Sequence, residues 1–141
     1  DALSLLGVEP VARFLARTAV GAVLLAGIQA ALALVSIVLY DPPLLGWPWL
    51  IVLIPLVALG IAALGSLTSA LTARTRGRAV LAPLLLVPLA LPLVVAATQV
   101  IEGAVYRQSA APWLLLAFAL DLVLLSSGIA TAPWVEEESS P

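Results

Sequence analysis

Thr72–Pro92 reads TARTRGRAVLAPLLLVPLALP. Arg74, Arg76 and Arg78 sit in a short polar break between two long apolar runs, and the second run carries Pro83, Pro88 and Pro92. A proline inside a helix removes one N–H and frees the carbonyl four residues earlier. A water-soluble domain has no reason to place three of them in one apolar run. A membrane helix packed among other helices tolerates them, because its neighbours re-satisfy the freed groups. The arginines mark the side of the membrane on which the break lies. Class and orientation thus both follow from one segment.

Composition extends the reading to the whole chain, which is 63% hydrophobic and 10% charged. Ordinary globular chains are about half apolar and about a quarter charged. A domain of this size buries only about two-thirds of its chain surface in water, too little to hide so much apolar area. The bilayer is the natural solvent. A net charge of −2, with few and scattered charges, argues against a nucleic-acid partner. Cys, Met, His and Lys are all absent. That removes disulfides and thiol nucleophiles, imidazole ligands and bases, and the P-loop lysine. A chain that opens on Asp1 and holds no Met reads as a piece of a longer membrane protein, and Asp1–Arg17 shows no signal peptide. No GxSxG or HExxH motif occurs, so the chain is expected to be non-catalytic.

Four apolar runs approach the ~20 residues that a ~30 Å hydrocarbon core requires: about 18–40, 49–71, 79–101 and 113–133. The breaks between them are short, so consecutive helices should be antiparallel neighbours. Arg13 and Arg17 precede the first run, and Arg74, Arg76 and Arg78 lie an even number of crossings away. Both clusters therefore share a side, which the excess of arginine makes cytoplasmic. The acidic stretch 134–141 returns to that side. Trp47, Trp49, Trp113, Trp134, Tyr40 and Tyr106 sit at run ends, where amphipathic rings prefer the headgroup layer. The expected fold is an all-α integral membrane protein with four transmembrane helices, preceded by a short amphipathic helix over 1–10.

Within that first segment Leu3, Leu5, Leu6 and Val8 form a small apolar face that ends at Pro10. It is too short to span. It reads either as an interfacial helix leading into the membrane or as a coupling element that projects toward a cytoplasmic partner. Small residues recur every fourth position at Ala58, Ala62, Ser66 and Ala70, with Gly65, Ser69 and Ala73 beside them and Ala22, Ala26 and Ala30 in the first run. Such rows let helix backbones approach closely, within the bundle or against another subunit.

Asp121 is the one acid well inside a run, eight residues past Trp113, or about 12 Å down a helix. A charge there costs at least about 2.5 kcal/mol. It should therefore face the bundle interior, face a cavity, hold a proton, or hydrogen-bond a Ser or Thr. Gln29 and Gln99 are candidate polar neighbours. Glu102 follows Gln99 by one turn, as a cavity-lining pair or as a polar helix end reaching the headgroups. The three prolines either kink their helix to fit its neighbours or make it the mobile wall of a translocation path.

The order of these parts resembles a known family. An apolar start ends in Pro, a span and a short outer loop follow, and a small-residue span leads to an Arg-Gly inner loop and a proline-rich span. It is similar to CcmB, the heme exporter membrane subunit of the cytochrome c maturation system, among the ABC-2-like permeases. Leu71–Val95, LTARTRGRAVLAPLLLVPLALPLVV, carries the closest likeness, and DALSLLGVEP resembles the family's segment after its second membrane helix. Gln99, Glu102 and Asp121 depart from the usual form. The resemblance implies a six-helix permease of which the first two helices are missing, multi-pass in the bacterial inner membrane. It implies an ATP-binding CcmA-like subunit contacted by Leu3, Leu5, Leu6 and Val8, CcmC- and CcmD-like companions, and a second copy of the chain. ATP and heme would sit on the partners and no cofactor on this chain. Without His, Met or Cys, the chain offers no ordinary axial ligand to heme iron. The rival readings are a generic ABC-2 exporter of lipid or drug, a non-transporting scaffold, and a proton-coupled transporter centred on Asp121.

Overall fold

The structure is a computed structural model that describes residues 9–43, 47–72, 78–106 and 108–137; side chains are described for all of these except 71–72, 78–83, 85 and 133–137. Four helices follow in order: α1 Pro10–Tyr40, α2 Trp47–Thr72, α3 Arg78–Tyr106 and α4 Ala111–Glu137. Each is long and apolar enough to cross a membrane, and the described residues form no other regular structure. The protein is an all-α membrane protein.

Helix α1 begins at Pro10, well before Thr18, because proline suits the first helical turn, where its missing N–H has no partner to lose. Its 31 residues make it about 46 Å long at ~1.5 Å per residue, more than a ~30 Å core. The excess carries Arg13 and Arg17 at one end. Arg17 Nη2 donates to Ser69 Oγ at 3.0 Å, which ties that end of α1 to the end of α2. At the other end Asp41 closes the helix in the left-handed region (φ 41°, ψ 52°), and its N–H bonds the Ile37 carbonyl at 3.0 Å. Pro42 and Pro43 then bar any further turn.

Helix α3 runs unbroken through Pro83, Pro88 and Pro92. It also continues past Ile101 to Tyr106, which takes Glu102 into the helix body.

Helices α2 and α4 each touch all the others, whereas α1 and α3 do not meet among the described residues. The section is therefore a lozenge with α2 and α4 across its short diagonal. The interior holds three apolar groups. At the Asp41 end are Leu53, Val100, Ala110 and Leu114; in the middle are Leu93, Ala96 and Ala117; toward the arginine end are Ala63, Leu64, Leu67 and Leu124. In lipid, burial of apolar surface does not drive helices together, so close packing and hydrogen bonds must. Small residues make that packing possible. Ala58, Ala62 and Ser66 are buried on α2, so this row serves the bundle itself. A Cβ built on Gly21 of α1 would stand 3.3 Å from that of Ala62. On α1 the row is used less fully: Ala22 and Ala26 are half-buried, but Ala30 faces outward.

The aromatic residues divide. Tyr40, Trp47, Trp49 and Tyr106 are exposed at helix ends, as interface anchors should be. Trp113, the third residue of α4, is half-buried and packs on two of the interior groups. Trp134 lies in α4, where its side chain falls outside the described ones.

Candidate functional site

Asp121 lies near the middle of α4 and is only 2% exposed. Across from it stands Gly60, near the middle of α2. A Cβ on Gly60 would collide with the Asp121 carboxylate and would come within 2.7 Å of Leu93 Cδ2 of α3. Three helices thus converge on this point, and the carboxyl occupies room that the missing side chain of Gly60 leaves open. Neither Asp121 oxygen has a hydrogen-bond partner among the described residues. The Ser or Thr bond considered above is therefore absent there, and neither Gln29 nor Gln99 bonds the carboxyl. As packed, the carboxyl is closed in beside Gly60 and Leu93.

This geometry makes a direct prediction. Asp121→Asn keeps the shape and breaks no hydrogen bond. Its thermal unfolding in detergent should shift by well under about 1 kcal/mol, the worth of one typical hydrogen bond. A larger loss would show that the carboxyl holds a partner. Unchanged function in the same variant would remove the proton-coupled reading, since an amide carries no titratable proton.

Gln29 lies elsewhere. Because α1 and α3 do not meet, a gap opens between them along one face of α2. Two cavities occupy it, one of about 230 Å³ with Gln29 on its wall and one of about 300 Å³ reaching Pro42, Pro43 and Trp47. Both share Ala33, Leu50 and Ile101, so they form one apolar slot open toward the bilayer. Ser36 on its wall is already satisfied by the Leu32 carbonyl at 2.8 Å.

Gln99 and Glu102 are together but apart from both places. Gln99 Nε2 donates to Glu102 Oε2 at 3.4 Å on an exposed face of α3. They do not line the slot. Among the prolines, Pro88 is exposed and Pro92 half-buried, while the Pro83 side chain is outside the described ones. Leu3, Leu5, Leu6, Val8, Arg74 and Arg76 lie outside the described residues, and Arg78 opens α3 with its side chain likewise outside them.

Three features escaped sequence reasoning. Gly60 and Gly128 accept Asp121 and the Phe14 ring respectively, and Thr18 is buried on α1 with no partner for its hydroxyl among the described residues. No periodicity marks them, since a glycine's neighbour across a helix interface is not written in its own helix. Among the described residues no group of His, Cys, Asp or Glu gathers that could hold a metal ion.

No curated protein and no solved structure matches the chain. The family model of the CcmB protein matches residues 1–136, which take in all but the last residue of α4 and the segment ahead of α1. A match over nearly the whole sequence, on a bundle of four membrane-spanning helices, means that this chain belongs to the CcmB family.

Proposed function

We propose that this chain is the permease subunit through which a partner ATPase drives release of the heme-loaded chaperone in cytochrome c maturation. Membership of the CcmB family makes it a permease-type membrane subunit of the heme exporter ABC system. The finer reading rests on one observation: the family match starts at residue 1 and so takes in Leu3, Leu5, Leu6 and Val8 along with the four helices. In this proposal those four side chains dock on a cytoplasmic CcmA-like subunit, with Arg74, Arg76 and Arg78 facing the same compartment across the bacterial inner membrane. ATP and heme belong to the partners, the heme with CcmC- and CcmD-like subunits, and a second copy of the chain completes the permease.

The bundle offers a mechanical route. A push applied ahead of Pro10 enters α1 at once, because that helix is continuous from Pro10 to Tyr40. It passes to α4 through Phe14, whose ring lies against Gly128, and to α2 through the Arg17–Ser69 bond. The three prolines of α3 give the far wall fewer backbone bonds to break as it bends.

Leu6→Glu tests the docking face. The variant complex should assemble and hydrolyse ATP, while holocytochrome c, measured by heme staining, falls about tenfold, within the usual range of coupling between sites. Intact maturation in an assembled Leu6→Glu complex would exclude the coupling role. A chain that co-purifies with an ATPase but with no cytochrome-maturation subunit would belong to a generic exporter instead.

A further inference from the structure

The slot between α1 and α3 has three walls: Ala33 and Ile37 of α1, Leu50 and Val57 of α2, and Ala97 and Ile101 of α3. Pro42, Pro43 and Trp47 frame its mouth, at the Asp41 end of the bundle. Its inner end lies at Gln29 and Val57. From Trp47 to Val57 along α2 is about 15 Å at ~1.5 Å per residue. That is half of a ~30 Å hydrocarbon core, the depth of one leaflet. The slot thus runs from headgroup level, where Trp47 is exposed, to the membrane centre.

Size and chemistry exclude two occupants. Neither cavity exceeds about 300 Å³, whereas 15 Å of a helix ~10 Å across takes roughly 1,200 Å³. A helix body therefore does not fit inside. Ordered water needs about two to four polar partners. The side chains on the wall offer it only the Gln29 amide, because the Ser36 hydroxyl is spent on the Leu32 carbonyl. Left empty, the slot would forfeit the dispersion contacts of its lining. A single hydrocarbon chain meets all three conditions: it is narrow, it is apolar, and it enters from the bilayer side. We propose that the slot seats one acyl chain of a phospholipid, lengthwise from Trp47 to Gln29. With the arginines cytoplasmic, that lipid belongs to the outer leaflet. Walls on three sides give the chain more contacts than one helix face gives boundary lipid, so it exchanges more slowly.

The test uses the full-length protein with its companion subunits, reconstituted with phosphatidylcholine that carries a diazirine midway along one acyl chain, then washed in mild detergent. Illumination should leave lipid on Leu50, Val57 or Ala97 at a yield about tenfold above that on Leu115 or Leu122. Those two are exposed on α4 and line neither cavity. Ala33→Phe puts a ring into the space that both cavities share, and should cut the slot adduct about tenfold while the α4 adducts stay. Ile101→Trp, which fills the same space from α3, should act alike, and Ala33→Ser, which keeps it open, should behave as wild type. Melting of Ala33→Phe in lipid-free detergent should stay near wild type, which separates a blocked slot from lost folding. Equal yields in the slot and on α4 would reduce the occupant to boundary lipid and overturn the proposal. So would a slot adduct indifferent to both filling variants, or photo-leucine at Leu50 coupling to another protein instead of lipid.

Discussion

Gly60→Val should separate α2 from α4 and cost about 3 kcal/mol or more, the upper end of what overpacking a close-fitting interior costs. Even a single Cβ there would overlap the Asp121 carboxylate and press on Leu93. Both are ends of side chains, so Ala can be met by rotation at a smaller cost. Valine adds two branches in a place where α3 closes the third side, and rotation no longer suffices. The measurement is thermal unfolding in detergent for Ala and Val at this position. Equal melting for wild type and Gly60→Val would mean that α2 and α4 do not meet as described. The control is Gly27, whose built Cβ finds nothing within 4 Å. Gly27→Ala should be neutral or stabilising by up to about 1 kcal/mol, the helix-propensity difference.

The second large effect is expected at Gly128. The Phe14 ring of α1 lies where any side chain on Gly128 would go. Phenylalanine is bulky and turns about only two side-chain bonds, so it has fewer ways to retreat than a flexible tip. Gly128→Val should therefore cost about 2–3 kcal/mol and detach α1 from α4. Phe14→Ala alone leaves a void at the same contact and also destabilises. Combined, the two changes fill each other's space, so the double variant should be more stable than the sum of the singles allows. This non-additivity is what a double-mutant cycle reads between touching residues. Strict additivity would show that Phe14 and Gly128 do not touch. If α1 also transmits the ATPase stroke, Gly128→Val should depress maturation more than its stability loss accounts for.

Much of the fold was legible because membrane class leaves so coarse a mark. Apolar runs near the required length, separated by short polar breaks, yield four helices among the described residues. The Arg-Gly loop and the proline-rich run after it carried the family. The polar residues were legible as residues but not as a constellation. Asp121, Gln29 and the Gln99–Glu102 pair all stood out as costly in lipid, yet the structure puts them in three places: the buried interior, an open slot, and an exposed face of α3. Trp113 shows the same limit, since its place at a span end was legible but its packing on the group of Leu53 and Val100, from α2 and α3, was not.

Sequence alone therefore determined the solvent, the number of crossings, the expected sidedness and the family. Tertiary structure alone decided which face of each helix is inside. The reason is physical. In water an apolar stripe marks the buried face, but in a bilayer lipid-facing and helix-facing surfaces are equally apolar, so hydrophobic pattern is silent about them. Fit across the interface decides instead: Gly60 under Asp121, Gly128 under Phe14, Gly21 beside Ala62. Such fit is a property of two helices at once, and no single run of residues contains it.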